Sequence, residues 1–467
     1  MNIITTLSQA LYNMGANLMV PVVMFFLALL FGMDFKKAFR VGLTVGVGLA
    51  GVYLILDFFI NGISESATIL AERYGGALTF VDIGWGSFSA VAWASNIGVV
   101  FIPVGIITNL IMIALNLSDH LSVNIWDYWE AIIGGMIVQL LTGSFVLGLL
   151  AATICHMINI KVGDLTADQM QGFIGFPGIV SYAPGYAEWG LILKPVAWFL
   201  DRIPGLNKVS LTPENMTKKI GFFGEPIFIG FFIGTIMGLV AGIGVSPSLM
   251  TGINLAAAMY IQPKMIGILM EGLAPLSEGA QQFLQKHAPN RKLYIGLDPA
   301  IGTGNATALA VATLMVPTAI VLAMILPGSK VMPLADLTFI VFFSMWAASV
   351  NKGDVLKTYL TTILMTIFAV YSNAYTAPIM NRLAQNSGLI TETATNVTHF
   401  ANGYFTHIPF CTLFAQIISS GNNTVDGSGI NITYGIVLSL ILFAGFVAAF
   451  LMSRGQKDKT NPEEKSQ

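Results

Sequence analysis

The chain has 467 residues, of which 55% are hydrophobic and only 10% are charged, whereas about 25% of the residues of an ordinary soluble domain are charged. This composition is typical of a protein embedded in a lipid bilayer. The net charge of −2 gives no sign of a nucleic-acid partner. The two cysteines, Cys155 and Cys411, form neither a disulfide framework nor a metal motif, and we expect no cofactor. No basic segment precedes a short apolar stretch at the N-terminus, so the sequence predicts no cleavable signal peptide.

Eleven segments are predicted to be membrane-spanning helices, since a helix needs about 20 apolar residues to cross the hydrocarbon core. They are residues 17–33, 41–63, 97–117, 126–141, 145–161, 222–245, 248–271, 305–326, 334–350, 355–379 and 434–453. The apolar run 131–160 is divided at Thr142–Ser144, because its counterpart later in the chain contains Asn351–Asp354, which is too polar for the middle of a membrane. We therefore predict an all-α polytopic membrane protein.

Short motifs recur in the same order and at nearly constant spacing in the two halves of the chain. The pairs are Gly84–Gly86 with Asp298–Ala300, Ile102–Val104 with Val316–Thr318, Asp127 with Asp336, and Gly178–Pro184 with Gly403–Pro409. One such match carries little weight, but an ordered series indicates an internal duplication. An odd number of spans in each copy would turn a direct sequence repeat into an inverted structural one.

The duplication divides the chain into two five-helix repeats, residues 1–190 and 221–412, joined by an amphipathic and basic linker at 191–220. Each repeat ends in a stretch with Gly and Pro that we predict to be a re-entrant hairpin, at 164–190 and at 385–412. An extra helix at 434–453 and a charged tail at 454–467 follow. Most of the 22 Lys and Arg residues lie in cytoplasmic segments if the N-terminus is outside and the tail is cytoplasmic, as the positive-inside rule requires.

One carboxylate stands directly against a membrane-length apolar run, in the polar turn of Tyr294–Leu326. Asp298 at the bilayer centre would cost about 2.5–3.5 kcal/mol on insertion scales, and non-helical backbone is tolerated there only around a polar cavity. We therefore interpret Asp298 as the most reactive group of a polar pocket. The alternative is a helix N-cap, since Asp before Pro is common at that position.

Five stretches resemble one known family, namely Val81–Trp85, Trp93–Ser95, Asn124–Trp126, Phe223–Pro226 and Ile295–Ala300. They are similar to the membrane component, enzyme IIC, of galactitol-type phosphotransferase systems within the ascorbate/galactitol superfamily, over nearly the whole chain. The resemblance implies eleven spans, a homodimer, and an elevator-like movement of a core domain against a dimerising scaffold. It also implies uptake coupled to phosphorylation by a separate cytoplasmic IIB protein carrying phosphocysteine, with IIA as a further partner.

The resemblance assigns roles to the polar residues of the pocket. Asp298 would be the base that takes the proton of the substrate hydroxyl during phosphoryl transfer. The candidate substrate-binding residues are Asp82, Trp85, Gln139, Ser181, Tyr182, Glu225, Thr406 and His407. Each has a simpler alternative: Trp85 as an interfacial tryptophan, Asp82 as a loop charge, Gln139 as a helix-to-helix hydrogen bond, Glu225 as a capping residue, and the hairpin residues as local turn chemistry.

We expect a multi-pass permease of the bacterial cytoplasmic membrane that takes up a polyol and contributes to its phosphorylation. Galactitol is the first choice, although family members often carry a His where this chain has Gly178, so a pentitol or another sugar stays open. The alternatives are an ion-coupled secondary transporter, in which Asp298 and Glu225 relay protons, and a channel-like or structural membrane protein. Nothing in the sequence resembles a IIA or IIB domain, so the chain is an enzyme only as part of a complex.

Overall fold

The structure is a computed structural model of the whole chain. The residues described are 18, 20–74, 78–182, 185–208, 210–213, 215, 218, 225–287, 293–333, 335–387, 396–419, 424–425, 428–429 and 431–460. The linker prediction at 191–220 and the charged tail at 454–467 therefore fall partly outside the described residues, and so does Pro184 of the first predicted hairpin tip.

Helices form most of the described chain. In the first half they are α1 (Val20–Leu30), α2 (Phe35–Tyr74), α3 (Trp85–Ala94), α4 (Asn96–Ala114), α5 (Tyr128–Thr142), α6 (Phe145–Ile174), α7 (Trp189–Ile192) and α8 (Lys194–Leu200). In the second half they are α9 (Pro226–Ala241), α10 (Val245–His287), α11 (Ala306–Ile325), α12 (Val341–Val350), α13 (Val355–Asn386), α14 (His407–Ile418) and α15 (Ile432–Thr460).

Among the described residues, six helices are long and apolar enough to cross a membrane. They are α2 as far as Ile55, α4, α6, α11, α13 and α15 as far as Met452. The other five predicted spans fall on α1, α5, α9, α10 and α12. The prediction of an all-α polytopic membrane protein is confirmed at this level, and the count of eleven spans stays a prediction.

The predicted breaks inside the long apolar runs occur where polar and glycine residues end a helix. α5 stops at Gly143, whose φ of 69° closes the helix in the left-handed region that glycine adopts without a steric penalty. Ser144 then caps α6 by accepting a hydrogen bond from the Leu147 N–H. In the second half, Asp354 caps α13 in the same way, through the Lys357 N–H.

Several helices are longer than the sequence predicts. Residues 164–174, which we assigned to the first hairpin, continue α6 down to its cap at Gly175. α2 continues to Tyr74, past the predicted end at 63, and α10 extends well past the predicted end at 271. A change from apolar to amphipathic composition is no reason for a helix to stop, and α10 continues even through Pro275 and Gly279.

Two small parallel sheets, each of three short strands, lie among the helices. The first has the order β5 (Val331–Met332), β1 (Phe80–Asp82), β6 (Val397–Thr398), and the second has the order β2 (His120–Ser122), β4 (Tyr294–Leu297), β3 (Ile179–Ser181). A separate antiparallel pair is formed by β7 (Thr424–Val425) and β8 (Ser428–Gly429). In both three-stranded sheets the middle strand comes from one half of the chain and the outer strands come from the other half.

The register is also the same in the two sheets. Ser122 pairs with Gly296, two residues before Asp298, and Val331 pairs with Phe80, two residues before Asp82. Asp82 and Asp298 each stand two residues after one of these pairs, whereas the sequence comparison had matched Gly84 with Asp298. The buried helix α11 lies at the centre of the helical core, while α15 carries exposed apolar side chains such as Leu440 and Phe443 on the periphery.

Candidate functional site

Asp298 lies where β4 ends, at the junction of the second sheet with the helices. Its Oδ1 accepts the Ala300 N–H at 2.7 Å, so it caps the short 3-10 helix Pro299–Gly302. Its Oδ2 accepts the Tyr53 hydroxyl at 2.8 Å and the Asn124 Nδ2 at 3.2 Å. Burial raises the pKa of this carboxyl group above its ordinary value, and these three hydrogen bonds partly offset the rise.

Two more carboxylates approach Asp298 at the start of α5. Asn124 donates to Asp127 Oδ2 at 2.5 Å, so one amide group bridges Asp127 and Asp298. Glu130, one turn further on, lines the same pocket and is 2% exposed. Glu130 Oε2 has no hydrogen-bond partner among the described residues, and a hydroxyl group of a ligand could donate to it.

Aromatic rings form another part of the wall of this pocket, which we call the central pocket. They belong to Trp85, Trp126, Trp129, Tyr186, Phe339 and Phe342, with Tyr53 and Pro299 completing the lining. Trp85 stacks on Phe339 with ring centroids 5.8 Å apart, and Phe339 stacks on Phe342 at 4.3 Å. Flat aromatic faces beside hydrogen-bonding groups suit a ligand that has C–H faces and hydroxyl edges.

The central pocket is narrow in this conformation. Its volume is about 40 Å³, which holds about three water molecules at roughly 10–15 Å³ each. A sugar-sized molecule therefore enters only after the aromatic and carboxylate walls separate.

A buried clasp behind the aromatic wall consists of Asp82, Asp336 and His399. Asp82 accepts the Gly84 and Phe400 N–H groups at 3.0 Å each and the Asp336 N–H at 2.8 Å. Asp336 accepts the Trp85 N–H at 3.0 Å and is hydrogen-bonded to His399 Nδ1. The metal-binding atoms of these three residues lie within 4.8 Å of one another. Every oxygen of the two carboxylates already accepts a hydrogen bond. We therefore interpret the clasp as a structural link between β1, β5, β6 and Trp85 and not as a metal site.

A second, larger cavity lies between α5, α6, α14 and α15, and we call it the lateral cavity. Its volume is about 630 Å³, and most of its lining is apolar. Glu188, Thr406 and His407 are its polar lining residues, apart from the thiols of Cys155 and Cys411. His407 Nε2 donates to the Glu130 carbonyl oxygen at 2.9 Å, so this side chain touches the backbone of the central pocket.

Comparisons with known proteins identify the family of this chain. Residues 11–403 match the family model described as "PTS system sugar-specific permease component", EIIC-GAT. The chain belongs to this galactitol-type family of phosphotransferase permeases. It is 34% identical over 437 residues to a protein of Escherichia coli (strain K12) named "Putative permease IIC component", covering 92% of this chain and 97% of that protein. It is also 30% identical to the galactitol-specific EIIC components of E. coli K12 and E. coli O157:H7, over 81% of this chain and 84% of each of theirs.

Family membership establishes the general setting of the permease. It is a multi-pass membrane protein that takes a sugar-type substrate and works with cytoplasmic IIB and IIA proteins. The resemblance seen in the sequence is thereby confirmed, as is the prediction of a phosphotransferase permease.

The structure brings only two of the sequence-predicted site residues into the central pocket of the permease. Asp298 and Trp85 line it. Asp298 also caps the short 3-10 helix Pro299–Gly302, whereas Asn305 caps the spanning helix α11, and the role of Asp298 in the site stays a prediction. Asp82 lies in the clasp. Ser181 and Tyr182 lie behind the pocket, where the Tyr182 hydroxyl donates to the Asn124 carbonyl oxygen at 3.5 Å.

The remaining four predicted residues lie elsewhere. Gln139 lines a separate groove with Asn96 and Ser387, and Glu225 is exposed at the start of α9. Thr406 and His407 line the lateral cavity. The sequence comparison had matched Thr406 and His407 with Ser181 and Tyr182. The strand register differs from this match. Ser181 pairs with Leu297, so Tyr182 follows opposite Asp298, and Thr398 takes the same position opposite Asp82.

Sequence reasoning missed most of the pocket of the permease. The additional lining residues are Tyr53, Trp126, Asp127, Trp129, Glu130, Tyr186, Pro299, Phe339 and Phe342. One signal was available, because Glu130 lies inside the predicted span 126–141, and an ionisable residue inside a span is a functional candidate by default. The aromatic residues gave no such signal, since a tryptophan near a membrane interface is common.

Proposed function

We propose that the permease binds a hexitol in the central pocket, with galactitol as the preferred substrate, and that Asp298 accepts the proton of the hydroxyl that becomes phosphorylated. The observation that carries this proposal is the meeting of three buried carboxyl groups with an aromatic wall in one pocket. The names of the relatives from E. coli add support, because two of them are galactitol-specific. The lateral cavity is larger, but its apolar walls do not suit a polyol.

The reaction would exchange one phosphorus bond for another. The substrate oxygen attacks the phosphorus of the IIB phosphocysteine, the new O–P bond forms, and the S–P bond breaks so that the cysteine sulfur leaves as a thiolate. The hydroxyl proton passes to Asp298, whose buried carboxyl group binds a proton more readily than an exposed one. Trp85 and the other rings hold the carbon chain, while Asp127 and Glu130 accept hydrogen bonds from the remaining hydroxyl groups.

Proteoliposomes with labelled galactitol test this function. With the cognate IIA and IIB proteins and a phosphate donor present, we expect the internalised label to be a phosphate ester. Accumulation of free galactitol driven by a proton gradient alone would refute coupled phosphorylation. Phosphorylation of another polyol in preference to galactitol would refute the substrate assignment only.

We also propose that the two halves, 1–190 and 221–412, are inverted repeats and that the N-terminus is outside. The reciprocal exchange of strands between the halves supports this arrangement, and so does the matching register of Asp82 and Asp298. A membrane-impermeant maleimide should label Ser144→Cys from outside and Lys352→Cys only after permeabilisation, because these residues follow equivalent helices in the two halves. Labelling of both from the same side would exclude inversion.

A homodimer with an elevator-like movement of the core is our proposal for how the narrow pocket opens. It rests on the family resemblance and on the pocket volume of about 40 Å³, which a hexitol exceeds. Mass photometry of the permease in nanodiscs tests the dimer, and a mass equal to one chain would exclude it.

A further inference from the structure

The lateral cavity has the size and position of a site for a molecule from the bilayer. Its volume of about 630 Å³ lies within the roughly 300–1,000 Å³ that is common for small-molecule sites. Ile154, Phe414 and Phe443 form part of its lining and are 52%, 50% and 61% exposed at the surface of the chain. In a membrane protein such exposed apolar residues face acyl chains, so the mouth of the cavity opens towards lipid.

Polar groups mark the inner end of this apolar cavity. Glu188 is 3% exposed, and its Oε2 has no hydrogen-bond partner among the described residues, although Thr406 interacts with the carboxyl group. His407 Nε2 donates to a backbone carbonyl, so in the neutral ring Nδ1 is an acceptor, and it too has no partner in the described part of the chain. A purely hydrocarbon occupant would leave both atoms unpaired.

We propose that the lateral cavity binds a single-chain amphiphile with a hydroxyl head, such as a long-chain alcohol or a monoacylglycerol. The hydroxyl donates one hydrogen bond and accepts others, so it can donate to the carboxylate of Glu188 or to the imidazole Nδ1 of His407. The alkyl chain lies against the aromatic and aliphatic walls. Among the described residues neither Lys nor Arg lines the cavity, so the charged head of a phospholipid would find no partner among them.

The two native cysteines provide a direct test. The chain contains only two, Cys155 and Cys411, and both line the lateral cavity with their sulfur atoms 3.5 Å apart. The full-length permease in phosphatidylcholine vesicles is alkylated with N-ethylmaleimide in the presence of 1-hexadecanol or hexadecane. At a free alcohol concentration about five times its Kd, occupancy should slow alkylation about sixfold, and hexadecane should have no comparable effect.

Variants separate the polar head from the cavity itself. Glu188→Leu should abolish the difference between the alcohol and the alkane, and Ala151→Phe should fill the cavity and remove protection by the alcohol. Leu440→Phe is the control, because Leu440 is exposed on α15 and does not line the cavity. A diazirine-bearing hexadecanol provides a second measurement, and it should attach to peptides that contain Cys155 and His407.

Several results would overturn the proposal. Equal protection by the alkane and the alcohol would show that the polar end plays no part. Photolabelling spread over all exposed apolar helices, with no loss in Ala151→Phe, would exclude a specific site. Photocross-links between two copies of the chain across the cavity mouth would show that a second protomer covers it. None of these results bears on galactitol phosphorylation, so the two proposals fail separately.

Discussion

Replacing Asp298 by asparagine removes the proposed base while changing the shape of the pocket very little. The amide oxygen of the new side chain can still accept the Ala300 N–H, which is 2.7 Å from Oδ1 in the structure. The amide nitrogen replaces Oδ2, which accepts from Tyr53 at 2.8 Å and from Asn124 at 3.2 Å. The Tyr53 hydroxyl can rotate to accept instead, whereas the Asn124 amide nitrogen then faces another donor.

These changes predict different magnitudes for binding and for chemistry. Loss of a general base lowers a rate by about 10²–10⁴-fold, which corresponds to about 2.7–5.5 kcal/mol of activation free energy. The amide oxygen of the replacement can still accept a hydrogen bond, so binding loses only the difference between a bond to a carboxylate, about 1.5–3 kcal/mol, and a neutral bond, about 0.5–1.5 kcal/mol, and Kd for galactitol should rise by about tenfold. Phosphorylation should therefore fall much further than binding.

The assay compares equilibrium binding of labelled galactitol with the rate at which its phosphate ester appears in proteoliposomes containing IIA and IIB. Asp82→Asn is the matched control, since Asp82 accepts the equivalent backbone hydrogen bond at the end of β1 but does not line the central pocket. The control should lose thermal stability, with binding and phosphorylation falling together. A phosphorylation rate in Asp298→Asn within about threefold of the parent would refute Asp298 as the base, because that factor is far below the range for general-base catalysis.

Three further variants test other parts of the account. Asp336→Asn weakens the clasp that holds the Trp85 N–H. KM for galactitol should therefore rise, while IIB-dependent turnover at saturation changes little. In Asp336→Glu the affinity for galactitol should stay below that of the parent. Gly135→Ala should lower the melting temperature of the purified permease, because an added Cβ would lie 2.5 Å from the Gly148 carbonyl oxygen and separate α5 from α6; an unchanged melting temperature would contradict this packing. Glu225→Gln should leave both KM and turnover unchanged in the transport assay, since Glu225 is exposed and does not line the pocket. A higher KM or a lower turnover would show that Glu225 contributes to the site.

Hydropathy predicted the helices well because membrane-length apolar runs and polar breaks have direct physical causes. The breaks at Gly143 and Asp354 are examples, since glycine permits the left-handed cap and aspartate accepts a hydrogen bond from the first helical turn. Helix ends without such residues were missed. α6 runs through the predicted start of the first hairpin to Gly175 because no proline or cap interrupts it earlier.

The strands could not be predicted from their sequence pattern. β1 and β3 have three residues each, and this is too short for an alternation of apolar and polar residues to be recognised. Asp127 and Asp336 lie five residues after Ser122 and Val331, which begin or end a strand pairing in the two sheets, and their equivalence stays a prediction. The predicted equivalence of the hairpin tips does not agree with the strand register. Short Gly and Pro motifs recur by chance more easily than a series of spaced positions, which explains the mismatch.

The central pocket was only partly predictable, because its members come from distant parts of the chain. Asp298 was identified because an aspartate beside a membrane-length apolar run costs free energy, which makes it a candidate for a functional role. Trp129 and Phe342 were missed because an aromatic residue in an apolar helix usually packs in the core, and only the fold shows that these rings face the carboxylates. The partners of Asp298, namely Tyr53 and Asn124, are far from it in sequence, so no local motif links them.

A cryo-EM structure of the permease in nanodiscs with bound galactitol tests the central claim most directly. The account predicts density for the polyol between Trp126 and Phe339, in a pocket wider than the present 40 Å³, with one hydroxyl oxygen within hydrogen-bond distance of Asp298. Galactitol density in the lateral cavity beside His407, with the central pocket still closed, would contradict it.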